Sequence, residues 1–287
     1  MIRGTTRVAA VIGWPVEHSR SPQMFEAAFA ATGIDAVMIP IGVPPESLEL
    51  VVGALRAMRA LGASVTLPHK LAAAALCDEL SPSARDIGAA NCLRVEAGRL
   101  FGHNTDCHGF TDSLAAAGFS AEGKRCVILG AGGAARAVAY GLRAADAAAI
   151  DVIARRPQRV AWTTARPWTA IELRASFARA DLLVDATPMG LHDGDAAAID
   201  GRSESGEGVL GIDGLPLDEL RAGAWVATLV YHRATGLIER AKQRGHSTVD
   251  GRGMLLHQGA RAFALWTGTA PPIQAMQRAL DSTLDGM

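Results

Sequence analysis

The run from Cys126 to Val138, Cys-Val-Ile-Leu-Gly-Ala-Gly-Gly-Ala-Ala-Arg-Ala-Val, has the glycine spacing of a phosphate cradle. Cys126 to Leu129 reads as a buried parallel strand and Ala134 to Leu142 as a helix. Between them Gly130 permits a tight turn, Gly132 lets backbone approach a pyrophosphate, and Ala135 is small enough to pack helix on strand. The backbone of Gly130, Ala131, Gly132, Gly133 and Ala134 would present N–H groups and the positive end of a helix dipole to the phosphates. A glycine pattern set between strand and helix points to a dinucleotide. The following strand, Ala149 to Ile153, bears on which dinucleotide. Sites for NAD carry an acid at the end of that strand, for the ribose hydroxyls. Here the strand runs into Ala154-Arg155-Arg156-Pro157-Gln158-Arg159, and Asp151 lies inside it. Guanidinium forks suit a 2′-phosphate. Arg155, Arg156 and Arg159 therefore favour NADP over NAD, with a solvated basic turn as the plainer reading.

Other polar residues stand where ligands bind. Lys70 follows the short strand Ala63 to Thr66, at the strand end where open α/β sheets place their ligands; a solvated lysine fits the same position. Ser19 and Ser21 lie just ahead of a helix that Pro22 can start. Spacing alone allows Ser21 as a simple N-cap, or both hydroxyls and the helix end as an anion site. Asn104-Thr105-Asp106 is a polar knot compatible with plain turn chemistry. Gln258 sits on the apolar segment Met254 to Phe263, and a buried glutamine needs partners that a ligand could supply. Cys77, Cys92, Cys107 and Cys126 form no CxxC pair, so no metal site is expected and the thiols are expected to be free.

The elements that must position these residues follow from periodicity. Val8 to Gly13, Ala36 to Ile41 and Ala63 to Thr66 read as strands, separated by helices from Pro22 and from Pro44, the latter ending at Gly62. Lys70 to Leu80 reads as a helix. Residues 87–93 and 100–106 read as extended pieces joined near Glu96-Ala97-Gly98, and Thr111 to Ala117 as the helix that crosses into a second domain. Then come the dinucleotide unit, a strand from Leu182 to Ala186, a Gly-, Asp- and Ser-rich surface loop from His192 to Gly208, a strand from Trp225 to Val230, a helix from Thr235 to Arg244, a strand from Ser247 to Val249 and a last helical stretch through Trp266. Such alternation predicts α/β domains with parallel sheets. The 287 residues suffice for two domains, and 49% apolar with 20% charged is ordinary for a soluble globular protein. A net charge of −1 gives no field to gather nucleic acid or an anionic membrane. With no spanning apolar run and no apolar leader at Met1 to Thr6, a cytoplasmic location is expected.

Taken together the motifs resemble the shikimate/quinate dehydrogenase family nearly end to end. The resemblance rests on Gly13-Trp14-Pro15 with His18-Ser19-Arg20-Ser21-Pro22, Val65-Thr66-Leu67-Pro68-His69-Lys70, Gly88-Ala89-Ala90-Asn91, Asn104 to Phe110, Gly130 to Ala134, Ala186-Thr187-Pro188-Met189-Gly190 and Met254 to Ala260. It implies an α/β fold of two domains around a cleft: a substrate-binding domain over 1–109 completed by helices of 254–287, and a Rossmann-type NADP-binding domain over 110–253. It implies reversible hydride transfer between NADPH and 3-dehydroshikimate, giving shikimate. Lys70 and Asp106 match the family's catalytic pair, and Ser19, Ser21, Thr66, Asn91, Tyr231 and Gln258 its substrate contacts. Thr187, Leu229, Gly251 and Met254 match positions that line the cofactor, beside the glycine turn and the arginines. A lysine ammonium beside a ketone oxygen stabilises developing charge and donates a proton, so the chemistry needs no metal. The implied partners are a small polyhydroxylated acid and the cofactor, in a monomer or homodimer.

The chain also departs from the family pattern. Ser64 stands for an asparagine, Met24-Phe25 for Asn-His, and Ala154 for the asparagine ahead of the arginine turn. Asp185 replaces an asparagine at a strand end, and Thr228 to Arg233, Thr-Leu-Val-Tyr-His-Arg, replaces Asp-x-Val-Tyr-Asn-Pro. The catalytic pair survives, so the departures suggest a divergent paralogue with altered substrate. Quinate, or an amino-substituted analogue, is the alternative within the class. A non-catalytic metabolite sensor is the alternative outside it, disfavoured by the retained Lys70 and Asp106 and by the absence of a basic helix.

Overall fold

The structure, a computed structural model, describes residues 2–187 and 211–284. The chain divides into two compact units, Met1–Gly109 with Leu255–Met287, and Phe110–Met254. The first unit contains, in chain order, β1 (Arg7–Gly13), α1 (Ser21–Thr32), β2 (Ala36–Gly42), α2 (Leu48–Ala57), β3 (Gly62–Val65), α3 (Lys70–Ala75), β4 (Glu79–Leu80), α4 (Pro82–Ile87), β5 (Cys92–Glu96), β6 (Arg99–His103) and the start of α5 (Asp106–Ala116). Its sheet order is β2-β1-β3-β5-β6-β4. β1 runs parallel to β2 and β3, whereas β5 is antiparallel to both β3 and β6. The sheet is thus mixed rather than parallel. The reversal is made by the β5–β6 hairpin, whose turn holds Ala97 and Gly98 at positive φ, as a two-residue hairpin demands.

Inward-facing strand residues Ala10, Ile12, Ala63, Val65 and Leu93 share one apolar cluster with Leu48, Val52 and Leu55 of α2. On α1, Phe25 and Phe29 pack instead against Phe263 and Trp266, with the Phe25 and Trp266 ring centroids 5.0 Å apart. Trp266 donates its indole N–H to the Leu93 carbonyl at 2.9 Å. That aromatic cluster accounts for one departure from the family: Met24 and Phe25 are fully buried, so apolar side chains are what the position requires.

Several sequence expectations fail locally. The helix expected over Lys70 to Leu80 stops at Ala75, and Glu79–Leu80 is a short edge strand. Leu100 N–H donates to Asp78 at 2.6 Å, which draws the chain onto β6 and out of the helix. The extended piece expected over 87–93 begins instead as the end of α4: Ser81 caps that helix by accepting the Ala84 N–H, Pro82 opens it, and Gly88 closes it at φ 72°. α2 ends at Ala57, and Gly62 opens β3 rather than terminating a helix. The helix expected from Thr111 starts five residues earlier, at Asp106, because the Asn104 side chain accepts the Cys107 N–H at 3.3 Å.

The second unit holds the rest of α5, then β7 (Arg125–Leu129), α6 (Gly133–Ala144), β8 (Ala149–Ala154), β9 (Ala165–Pro167), α7 (Ala170–Phe177), β10 (Leu182–Asp185), β11 (Trp225–Thr228), α8 (Gly236–Gln243) and β12 (Ser247–Val249). The chain continues into α9 (Gly251–Thr267) and α10 (Ile273–Leu284). The sheet is wholly parallel, in the order β12-β11-β10-β7-β8-β9. This is the doubly wound order, and the direction of winding switches between β7 and β10. Apolar clusters cover both faces, one around Leu173, Phe177 and Leu237, the other around Phe110, Val138 and Leu142. Pro188-Met189-Gly190 and the loop expected over 192–208 lie outside the described residues.

No helix among the described residues is long and apolar enough to cross a membrane. The four cysteines are free. Burial pushes the Cys77 and Cys107 thiols up to about 11 and the Cys126 thiol up to about 12. A thiol held so far above neutral pH offers almost no thiolate. Titration of the native protein with a chromogenic disulfide at pH 7.5 should therefore be slow at every site, and release all four equivalents only after denaturation.

Candidate active site

In the first unit the end of β3, the start of α3 and the start of α5 bring a lysine and an aspartate together. Lys70 Nζ lies 2.7 Å from Asp106 Oδ2, and the aspartate side chain is only 7% exposed. Lys70 is the first residue of α3, reached through Thr66-Leu67-Pro68-His69, where the His69 N–H donates to the Thr66 carbonyl at 3.0 Å. The buried His69 ring pins that turn, with Nε2 2.6 Å from the Val43 carbonyl. The Lys70 carbonyl accepts from the Ala90 N–H at 2.9 Å, tying the helix start to the segment just before β5 that carries Asn91.

Asn91 is the hub. Its Nδ2 donates to Asp106 Oδ1 at 2.9 Å, to Thr105 Oγ1 at 3.0 Å and to Gln258 Oε1 at 3.3 Å, while its Oδ1 accepts the Thr105 N–H at 2.6 Å. Asp106 is therefore held on one oxygen by Asn91 and presents the other to Lys70. Gln258 reaches the hub because α9 packs on Gly109 of α5: a Cβ at Gly109 would stand 2.7 Å from the Gln258 backbone nitrogen. Gln258 Nε2 donates to the Leu255 carbonyl at 2.9 Å, which fixes the amide so that its oxygen faces Asn91. Lys70, Asn91, Asp106 and Gln258, named from sequence, thus form one connected network. Thr105, and Asn104, whose Nδ2 donates to the Ala89 carbonyl at 3.0 Å, complete its support. Their signal was present in the Asn-Thr-Asp knot.

The remaining candidates are distributed differently. Ser21 is not the N-cap of α1; it is the first helical residue, Arg20 occupies the cap without a side-chain bond, and Ser19 Oγ accepts the Ser21 N–H at 3.4 Å. The simple capping reading of Ser21 is thus set aside. Thr66 sits in the turn before Lys70, and Tyr231 belongs to the second unit, just past β11 beside His232.

In the second unit the glycine turn follows β7. Gly130 has φ 104°, and a Cβ there would stand 3.0 Å from the Ala186 carbonyl oxygen, so only glycine fits. Its N–H donates to the Ile153 carbonyl at 2.9 Å, joining the turn to the end of β8. Gly132 caps α6 without a side-chain bond, leaving the first N–H groups of a twelve-residue helix for an anion, and a Cβ at Gly132 or Gly133 would meet open space. Arg155, Arg156 and Arg159 are exposed on the turn after β8. Asp151 is spent elsewhere: it accepts from Arg166 at 2.9 Å and Arg179 at 3.2 Å, and is not free to hold a ribose.

Across the switch point, Asp185 ends β10 fully buried. Its Oδ1 accepts the Thr187 N–H at 3.0 Å and the Thr187 hydroxyl at 2.6 Å. Burial raises its carboxyl to about 6 against these two hydrogen bonds, which pull the other way. Leu229 follows β11, Gly251 begins α9 with its N–H on the Val230 carbonyl at 3.0 Å, and Met254 packs in the cluster that also holds Val249. A helix N-terminus and guanidinium groups that no other described residue engages, with an open glycine turn, are the donor set that a phosphorylated dinucleotide with a 2′-phosphate requires.

Residues 11–93 match the family model described as the shikimate dehydrogenase substrate binding domain, and residues 251–280 the model described as the shikimate 5′-dehydrogenase C-terminal domain. The shikimate dehydrogenase (NADP(+)) of Symbiobacterium thermophilum is 40% identical, over 99% of this chain and 97% of its own. The Thermus thermophilus shikimate 5-dehydrogenase, solved in complex with NADP(H) and shikimate, is 36% identical with a TM-score of 0.83, covering 97% of this chain and 100% of that one. A ligand-free 5-ketofructose reductase of a Gluconobacter species is 30% identical with a TM-score of 0.79, covering 98% and 100%.

Proposed function

The chain belongs to the shikimate dehydrogenase family, and on that premise we propose that it catalyses the NADP-dependent interconversion of 3-dehydroshikimate and shikimate, with Lys70 and Asp106 as the catalytic pair. The observation that carries the reading is the ion pair at 2.7 Å, fixed by Asn91 and set at the start of α3, one turn past the end of β3. Bound NADPH supplies the hydride that the carbonyl carbon accepts. The rest belongs to side chains. Lys70 ammonium donates a hydrogen bond to the carbonyl oxygen, stabilises the charge that grows there and delivers the proton as the alcohol forms. Asp106 holds the ammonium on that oxygen, and in the reverse direction the neutral amine takes the hydroxyl proton back. Ser19 and Ser21 at the head of α1 supply donors for a carboxylate; Thr66, Asn91 and Gln258 supply partners for ring hydroxyls.

Cofactor choice rests on the arginine turn. The Gly130 to Ala134 turn takes the pyrophosphate, Arg155, Arg156 and Arg159 the 2′-phosphate, and Thr187, Leu229, Gly251 and Met254 line the nicotinamide end. Arg155→Ala/Arg156→Ala should raise KM for NADP⁺ by at least about tenfold, as expected when charge-assisted phosphate contacts are lost, and leave KM for NAD⁺ within about twofold. Because the same fold carries a 5-ketofructose reductase at 30% identity, substrate is settled by rates. Initial velocities with shikimate, quinate and 5-ketofructose, each with the NADP and the NAD couple, should give the highest kcat/KM for shikimate with NADP⁺. A higher kcat/KM for quinate or for 5-ketofructose reduction would replace the substrate assigned here. No turnover with any combination would remove the enzyme reading.

A further inference from the structure

We propose that Trp162 is a positioning residue for cofactor discrimination: it ties the arginine turn to the glycine turn and so sets the reach of Arg155, Arg156 and Arg159. The inference rests on the reading of that turn as the 2′-phosphate site. The turn leaves β8 at Ala154, passes through a short 3-10 segment at Pro157–Arg159 and reaches β9 at Ala165. At its start it is fixed to the glycine turn by the Gly130 N–H on the Ile153 carbonyl. At its far end Trp162 makes a second tie. Its indole Nε1–H donates to the Ala131 carbonyl at 3.1 Å, bridging 31 residues of sequence. The ring is half-buried against the cluster that holds Ile128 and Val138, and the Arg136 guanidinium of α6 lies 5.8 Å from its centroid, within cation–π range.

The two ties have different consequences. A residue such as Gly130 supports the pyrophosphate cradle that NAD and NADP share. Trp162 closes the loop that only NADP uses, and a long cationic side chain on an untethered loop loses more entropy on binding than one on a fixed loop. Losing the Trp162 bond should therefore weaken NADP selectively. Nothing in the glycine pattern predicts this, because the bond comes from a residue beyond the arginines that carries no charge.

Trp162→Phe keeps an aromatic ring in the cluster and removes the indole N–H. With shikimate as substrate, KM for NADP⁺ should rise about five- to tenfold, the scale of one lost hydrogen bond, while kcat and KM for NAD⁺ stay within about twofold. An equal rise for both cofactors would make Trp162 a support of the shared cradle and overturn the proposal, as would no change in either. A wild-type enzyme without NADP preference would instead defeat the reading of the arginine turn, and this inference with it. A measurement on the wild type guards against a variant that fails to fold. By reciprocity of coupled equilibria, 2′,5′-ADP should slow solvent exchange of the Trp162 indole N–H more than ADP does; equal slowing by both ligands would overturn the tie.

Discussion

Lys70→Ala should lower kcat for shikimate oxidation by about two to four orders of magnitude, the range over which a positioned general acid–base acts. KM for NADP⁺ should stay within about threefold, since the arginine turn and the glycine turn are untouched. The network gives this expectation its form. Among the described residues Lys70 is the only cation paired with Asp106, and Asp106 has its other oxygen on Asn91. Removing the ammonium therefore leaves a buried carboxylate supported by the Asn91 amide, and takes away the proton donor that Asp106 positions. Asp106→Asn should cost less than Lys70→Ala, because the amide retains an acceptor for Asn91 or for Lys70 but holds the ammonium without charge. Asn91→Ala should affect both kcat and stability, because Thr105, Asp106 and Gln258 all lose a partner at once. Steady-state rates with calorimetric shikimate binding separate these effects. A Lys70→Ala enzyme within tenfold of wild type would remove lysine from the proton transfer, whatever the substrate.

What was legible in the sequence, and what was not, follows the range of the interactions. β7, β8 and β10 are apolar runs buried in a parallel sheet, and such runs announce themselves. The stretch from Lys70 to Leu93 did not, because alanine-rich sequence favours helix everywhere and only the pull of Asp78 on β6 and the Ser81-Pro82 cap decide where helix stops and restarts. That Ser-Pro signal was readable. The bonds that assemble the site were not: Asn91 meets Gln258 across 167 residues, and Asp151 meets Arg166 and Arg179 across 15 and 28. The family resemblance supplied Asn91 and Gln258 as separate residues, and the fold supplies the amide that joins them. Asp151 is the converse case, an acid near the cofactor strand whose partners, invisible locally, make it structural. Trp162 belongs to the same class, since periodicity gives no reason to join it to Ala131.

Asp185→Asn should make the protein more resistant to unfolding at neutral pH, by a margin that shrinks as the pH falls. The carboxyl has an ordinary value of 3.8 and is raised to about 6 by burial. A group whose folded value is raised gives a stabilising contribution that is complete below the unfolded value and is lost as pH rises through the folded one. For Asp185 the window runs from about pH 4 to about pH 6. Below it both folded and unfolded chains carry the proton. Inside it the folded chain keeps a proton that the unfolded chain has released, so stability falls with rising pH. Above it the buried carboxylate is fully ionised, at a cost of about 3 kcal/mol. Asparagine does not titrate there, and its oxygen can accept the same two bonds from Thr187 that Asp185 Oδ1 now accepts. The stability gap between variant and wild type should therefore narrow by about 2 kcal/mol between pH 7.5 and pH 4.5. The slope carries the argument: the absolute gap also contains whatever the new amide N–H loses or gains, but that offset does not change with pH. Thermal unfolding of both proteins across this range measures it. Parallel melting curves for the two proteins would mean that Asp185 ionises as freely as a surface carboxylate. The variant also restores the residue that the family pattern carries at this strand end. If the charge serves only to hold Thr187, KM for NADP⁺ should be unchanged; a rise confined to pH above 6 would make the ionised carboxylate itself part of cofactor binding.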